Sequence, residues 1–329
     1  MQKFISFMIL LLGMNLYSQD PVFTQFYNIP ESLNPGFAGA SYGTELGVLN
    51  RTQWPGLDYS LNSQFFYFDN YIDRYNSGIM LTVLNQLETE TRYNFTQINL
   101  NYSYHVQLNY EWFFYPAISV GVGNKNFAFD NLLFGDQIII NKGIINVNSG
   151  DPILLNNNRK FLDLGAGFLL FNERMWFGAS VKHINNPNTS LAGDGVNKLR
   201  KFLSVHGGYK LPLNARYSNS DYNLYFDFNF MRQGGKGGYD RFDIGSRYQI
   251  NEFIIGAFAT LAPTSVTDKS HKLTSINFIT NFDYKQFSFG SSYDLNLSSL
   301  MNTKGVFELS VSYKFDSLFG NNIVPCGCK

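Results

Sequence analysis

The feature that most constrains this chain is a period-two alternation of apolar and polar residues, which recurs to the C-terminal end in runs of about ten. In the last run Phe307, Leu309, Val311, Tyr313 and Phe315 share one face, and Glu308, Ser310, Ser312 and Lys314 share the other. Earlier, Tyr222, Leu224, Phe226, Phe228 and Phe230 oppose Asn223, Tyr225, Asp227 and Asn229. Phe287, Phe289, Tyr293 and Leu295 likewise oppose Ser288, Gly290, Ser292, Asp294 and Asn296. A helix would bring its apolar residues back every third or fourth position, which these runs do not do. They read as strands.

The polar face indicates what surrounds those strands. In a soluble sandwich it meets water and carries mixed charges; here it is Asn, Ser, Thr, Gln and Gly, with isolated charges. Charged residues make up 15% of the chain and aromatic residues 17%, with 32 Phe and 21 Tyr. That charge content is below the roughly 25% of ordinary soluble domains, so the apolar face is assigned to lipid. A run of about ten residues is the length of a tilted membrane strand. The expected fold is all-β, a transmembrane antiparallel β-barrel of about 14 strands. Asp227, Asp243, Arg247, Asp283, Asp294, Glu308 and Lys314 then face a polar lumen. The short connections, 107–110, 172–174, 251 and 285, fall on one parity, with 70–76 and 212–221 longer than the rule prefers, and the long ones, led by 124–158, fall on the other. This matches short periplasmic turns and long extracellular loops. Trp54, Trp112 and Trp176, near strand ends, suit interfacial aromatic girdles.

The chain divides into a signal peptide (1–18), an N-terminal periplasmic segment (19–42), an outer-membrane barrel (43–315) and a C-terminal tail (316–329). Lys3 precedes a short apolar core, Phe4 to Gly13, and Ser18 offers a small residue at the cleavage point. This is the secretory pattern, and the apolar run is too short to span a bilayer as a helix. Cys326 and Cys328 are the only cysteines, so no disulfide framework supports the fold. They form a plain tail, a metal ligand pair or a strained bridge. Formal net charge is +0, which gives no reason to expect a nucleic-acid partner.

Catalytic motifs are missing. The sequence holds no Gly-x-Ser-x-Gly, no His-Glu-x-x-His and no phosphate-binding glycine loop followed by Lys-Ser or Lys-Thr. His105, His183, His206 and His271 are scattered. The reading is a non-enzymatic protein with no catalytic residues, no metal site and no cofactor. The insertion 124–158, with apolar stretches at 127–134 and 138–145, reads as an inward plug, a small hairpin or an extracellular lid.

Three ordered motifs stand near the start. Gln19-Asp-Pro-Val-Phe-Thr-Gln-Phe-Tyr-Asn28 is followed by Leu33-Asn-Pro-Gly-Phe-Ala-Gly39 and then by Asn50-Arg-Thr-Gln-Trp-Pro55. Together they resemble the opening of the PorP/SprF family, outer-membrane proteins of the type IX secretion and gliding systems; Phe26 stands where Tyr is commoner. The resemblance implies a protein that works with periplasmic components of the secretion or gliding apparatus. It also implies binding of a secreted adhesin, or of a C-terminal export domain, in support of export or anchoring. Asn34, Pro35, Gly36, Phe37, Arg51 and Trp54 are the candidate binding residues. Each also has a structural reading: Asn34-Pro35-Gly36 as a turn that lines or plugs the periplasmic mouth, and Trp54 as an interfacial anchor. The rival function is a substrate-selective or passive outer-membrane channel.

Overall fold

The computed structural model describes residues 20–57, 60–89, 92–127, 137–139, 144–145, 158–191, 197–213, 222–234, 238–263, 270–297 and 303–315. The expected signal peptide (1–18), the C-terminal tail with both cysteines and most of the 124–158 insertion lie outside them. Within that insertion, Ile138–Ile139 and Ile144–Ile145 pair as a small antiparallel hairpin.

Fourteen long strands form one closed ring. They are β1 (Thr44–Gln53), β2 (Leu61–Ile72), β3 (Ser77–Glu88), β4 (Asn94–Tyr104), β5 (Phe113–Asn126), β6 (Asn158–Phe171) and β7 (Met175–Lys182). The second half holds β8 (Phe202–Pro212), β9 (Tyr222–Gln233), β10 (Tyr239–Ile250), β11 (Phe253–Pro263), β12 (His271–Tyr284), β13 (Phe287–Asn296) and β14 (Val306–Phe315). Each pairs antiparallel with its neighbours in sequence, and β4 is prolonged past His105 by Val106–Gln107. The ring closes where β1 meets β14, in register from Thr44↔Phe315 to Gln53↔Val306. Closure satisfies every strand edge, as a hydrocarbon surrounding demands. Among the described residues no helix is long and apolar enough to cross a membrane.

The alternation orients the wall. Along β14, Leu309 is 65% exposed while its neighbour Glu308 is 1% exposed. Phe226, Ile244, Ile255, Phe278 and Val311 also point outward, whereas Asp227, Asn229, Asp243, Arg247 and Asp294 are buried inside. This arrangement inverts a soluble core, with an apolar belt outside and polar side chains within. The tight connections, Asn172–Arg174 and those at Asn251 and Lys285, lie at the end where β1 starts and β14 finishes. Asn251 and Lys285 adopt left-handed φ of 52° and 56° to make their turns. By the rule for outer-membrane barrels, this end is periplasmic and the long-loop end extracellular. Trp176 departs from the girdle expectation. It begins β7 but points inward, 5% exposed, against Phe37.

The segment 19–42 is expected in the periplasm ahead of the barrel; residues 20–43 instead run through its lumen. Two 3-10 turns, Pro30–Ser32 and Pro35–Phe37, fold the segment compactly. A ring of 14 strands is too wide for its own side chains to fill, since about eight strands is the size that they fill. The segment supplies the missing volume. Phe23 and Ile29 pack on Leu49, Phe65 and Tyr67; Phe26, Tyr27 and Leu33 pack on Phe202, Met231, Phe258 and Ile279; Phe37 and Ala40 pack on Tyr115, Leu169, Phe171 and Trp176. Each buried aromatic ring contributes roughly 1.5–3 kcal/mol.

Candidate functional site

The lumen is the most densely organised part of the molecule, and the segment reads along it from the outer mouth to the inner end. At the outer end, Asp20 meets His183, which follows β7. His183 Nε2 lies 2.8 Å from Asp20 and its Nδ1 lies 2.9 Å from Asp163 of β6. Burial alone would disfavour the imidazolium, but the two carboxylates more than offset it and push its pKa up to about 10. Burial alone would also raise the Asp20 carboxyl, yet His183 holds it below the usual carboxylate range. The Asp20 main-chain N–H donates to Gln233 at the outer end of β9.

One turn further in, Arg51 of β1 forms an ion pair with Glu308 of β14 across the closing seam. Asp294 of β13 lies 3.6 Å from the same guanidinium. Glu308 also accepts the main-chain N–H groups of Thr24 (2.8 Å) and Gln25 (3.0 Å). The Thr24 hydroxyl donates to Asp294 at 2.6 Å. Side-chain carboxylates of the wall thus bind the segment's backbone as charge-assisted acceptors. Halfway down, Tyr27 stacks on Phe258, with the Arg247 guanidinium 4.9 Å from its ring centroid. Arg247 is itself paired with Asp227 at 2.7 Å.

Four of the sequence candidates lie in the inner half. The Asn34 side chain caps the second 3-10 turn by accepting from the Gly36 N–H at 2.8 Å. Its amide donates to the Phe168 carbonyl at 2.8 Å and lies 3.1 Å from His206 Nε2. Pro35 starts that turn. Gly36 passes so close to the wall that a Cβ would sit 2.9 Å from the Leu169 nitrogen. Phe37 is fully buried against Trp176 and His206. Lys182 and Ser180 donate to the carbonyls of Ser32 and Leu33. Beside the inner mouth, His105 Nε2–H donates to the Ala38 carbonyl at 2.9 Å.

The candidates therefore do not converge. Asn34, Pro35, Gly36 and Phe37 belong to the inner half of the segment, and Arg51 belongs to the outer ion cluster. Trp54 stands beyond β1 with φ of 62°, its N–H bonded to the Gly305 carbonyl. Sequence reasoning assigned Glu308 and Asp294 to the lumen by parity. It did not find the Asp20–His183–Asp163 chain, which joins three separate stretches; an inward-parity Asp163 was the available signal. Ser204 and His206 are hydrogen-bonded at 2.8 Å, but both are buried beneath the segment, where His206 positions Asn34.

Among solved structures, the Acinetobacter baumannii outer-membrane protein Omp33 is similar at 10% identity, over 84% of this chain and 100% of that one, with a TM-score of 0.42. A triple mutant of the Rhodopseudomonas blastica porin is similar at 8% identity, over 83% and 99% of the two chains, with a TM-score of 0.34. No curated protein matches the chain. The model of the type IX secretion system membrane protein PorP/SprF matches residues 15–313. That match joins a closed, lipid-belted ring whose first and last strands pair, a form that spans the outer membrane. This outer-membrane β-barrel belongs to the PorP/SprF family of type IX secretion system membrane proteins.

Proposed function

We propose that this protein holds an exported surface protein, a secreted adhesin or its C-terminal export domain, at the outer face of the barrel and so aids its export or anchoring. Periplasmic components of the secretion or gliding apparatus are its partners on the other side. The observation that supports this reading, beyond family membership, is the filled lumen. A cargo protein has no path through it, so engagement falls to the mouths, and the two longest connections, 127–157 and 183–201, lie at the outer one. A passive, permanently open channel would need the space that residues 20–43 occupy.

Affinity isolation from detergent-extracted outer membranes tests the proposal. Co-purification of a secreted adhesin or export domain is the expected result. Deleting the gene while the exported partner still reaches the surface in full would contradict it.

A further inference from the structure

We propose that residues 20–43 are a displaceable stopper, and that the ring behind them is a latent pore for small hydrophilic solutes. Three observations carry this. First, the ring is complete without the segment. β1 and β14 pair directly, and the segment adds no strand to the sheet. Its bonds from main chain to main chain are local turns, such as Ile29 N–H to the Gln25 carbonyl, apart from the Gly43 carbonyl that accepts from Tyr71 N–H at the tethered end.

Second, the wall's buried arginines are neutralised by wall carboxylates rather than by the segment. Arg51 pairs with Glu308, Arg247 with Asp227 and Arg241 with Asp243, and every member of these pairs belongs to the ring. Were the segment to leave, none of these three arginines would lose its carboxylate, and His183, which pairs with Asp20, would keep Asp163. Around them stand Asn229, Asn277, Asn281, Ser292 and Ser310, all buried on the lumen face, whose hydrogen-bonding groups water satisfies as well as the segment does. A wall meant only to be permanent core would carry apolar residues there, because buried polar groups are costly unless paired.

Third, the attachment is one-sided. The segment is covalently continuous with β1 only at the inner end, through Gly43. At the outer end it is held by side-chain contacts, Asp20 to His183 and Thr24 and Gln25 to Glu308 and Asp294. Such a stopper opens by unfastening at the outer end and swinging or sliding toward the periplasm on its tether. The three apolar clusters keep it closed at rest.

The test is ion conductance in planar lipid bilayers with potassium chloride, comparing the full chain with a variant lacking residues 20–40. Heat-modifiable migration confirms that each barrel is folded. The full chain is expected to stay closed with rare openings, and the deletion variant to show at least tenfold greater open probability. An Asn28→Cys/Ser310→Cys variant, whose parent side chains lie 3.0 Å apart, should lose the rare openings on oxidation and regain them on reduction. A folded deletion variant that does not conduct would overturn the proposal, as would a full chain already steadily open. If the deletion does not fold, the full-length Phe26→Ala/Phe37→Ala variant decides. Openings at least tenfold more frequent than in the parent support the stopper, and unchanged behaviour overturns it. Conductance is read with no exported partner present, so failure here leaves the partner-binding reading untouched.

Discussion

Glu308 and Leu309 are neighbours in the chain and lie in opposite surroundings. Leu309→Arg places a cation in hydrocarbon, at a cost of about 2–4 kcal/mol near the midplane, with no segment contact touched. Glu308→Ala leaves the buried Arg51 with Asp294 at 3.6 Å as its nearest remaining carboxylate and removes the acceptor for two segment N–H groups. Breaking a buried pair in this way costs about 3–5 kcal/mol. Urea unfolding in detergent should show both losses, but only Glu308→Ala should also make residues 20–43 cleavable by added protease. His183 adds a pH dependence. Its folded pKa of about 10 lies above the ordinary value near 6.5, so its contribution is full below that value and declines as pH rises toward 10. Asp20, held low, loses its contribution only in acid, as pH falls through its lowered pKa. Hydrogen-exchange protection at Val22–Phe26, taken relative to the base-catalysed rate of the unstructured chain at each pH, should therefore be greatest near neutrality and fall from pH 7 to 10. A His183→Ala variant should lack that alkaline change. The parity that sends Glu308 inward was legible from β14 alone. Its grip on Thr24 and Gln25 was not, because those partners lie more than 280 residues away and no local pattern records them.

Strands were the most legible elements, because a wall with lipid on one side and polar groups on the other writes its geometry into every second residue. The sequence-based boundaries of the last strand, Val306–Phe315, coincide with the structure. Trp176 was misread as an interfacial anchor because an aromatic residue at a strand end fits either face, and Phe37, the ring that draws it inward, lies far away in sequence. The lumen segment was hidden for the same reason. Its Pro, Asn and Gly residues read correctly as turns, but turn chemistry does not say which side of a wall the turns occupy. The seam between β1 and β14 offers a sharp test of closure and register. Val48 lies directly opposite Val311, and opposite residues have Cα atoms about 4.5–5.5 Å apart, within disulfide range. A Val48→Cys/Val311→Cys variant should cross-link in intact outer membranes under mild oxidation, producing a compact band that reduction reverses. Cross-linking of Val48→Cys to Leu309→Cys instead would mean a register shifted by two residues.

At the scale of the whole molecule, the protein is two bodies in one chain, a ring that satisfies itself and a tethered segment that fills it. The ring places an apolar belt against lipid, and the segment turns a wide polar lumen into a packed interior. The proposed partner engagement at the outer mouth and the proposed gating of the lumen are then separable, one assigned to the loops and the other to residues 20–43. Both depend on a single arrangement, in which odd positions of β14 face lipid while even positions face the lumen, where Glu308 and Ser310 touch the segment. Single cysteines at 307 to 311, read in native outer membranes with a lipid-soluble quencher and a water-soluble thiol reagent, test it most directly. The account predicts quenching at 307, 309 and 311, and protection from both probes at 308 and 310. Quenching without parity, or ready aqueous labelling at 308 and 310, would contradict it.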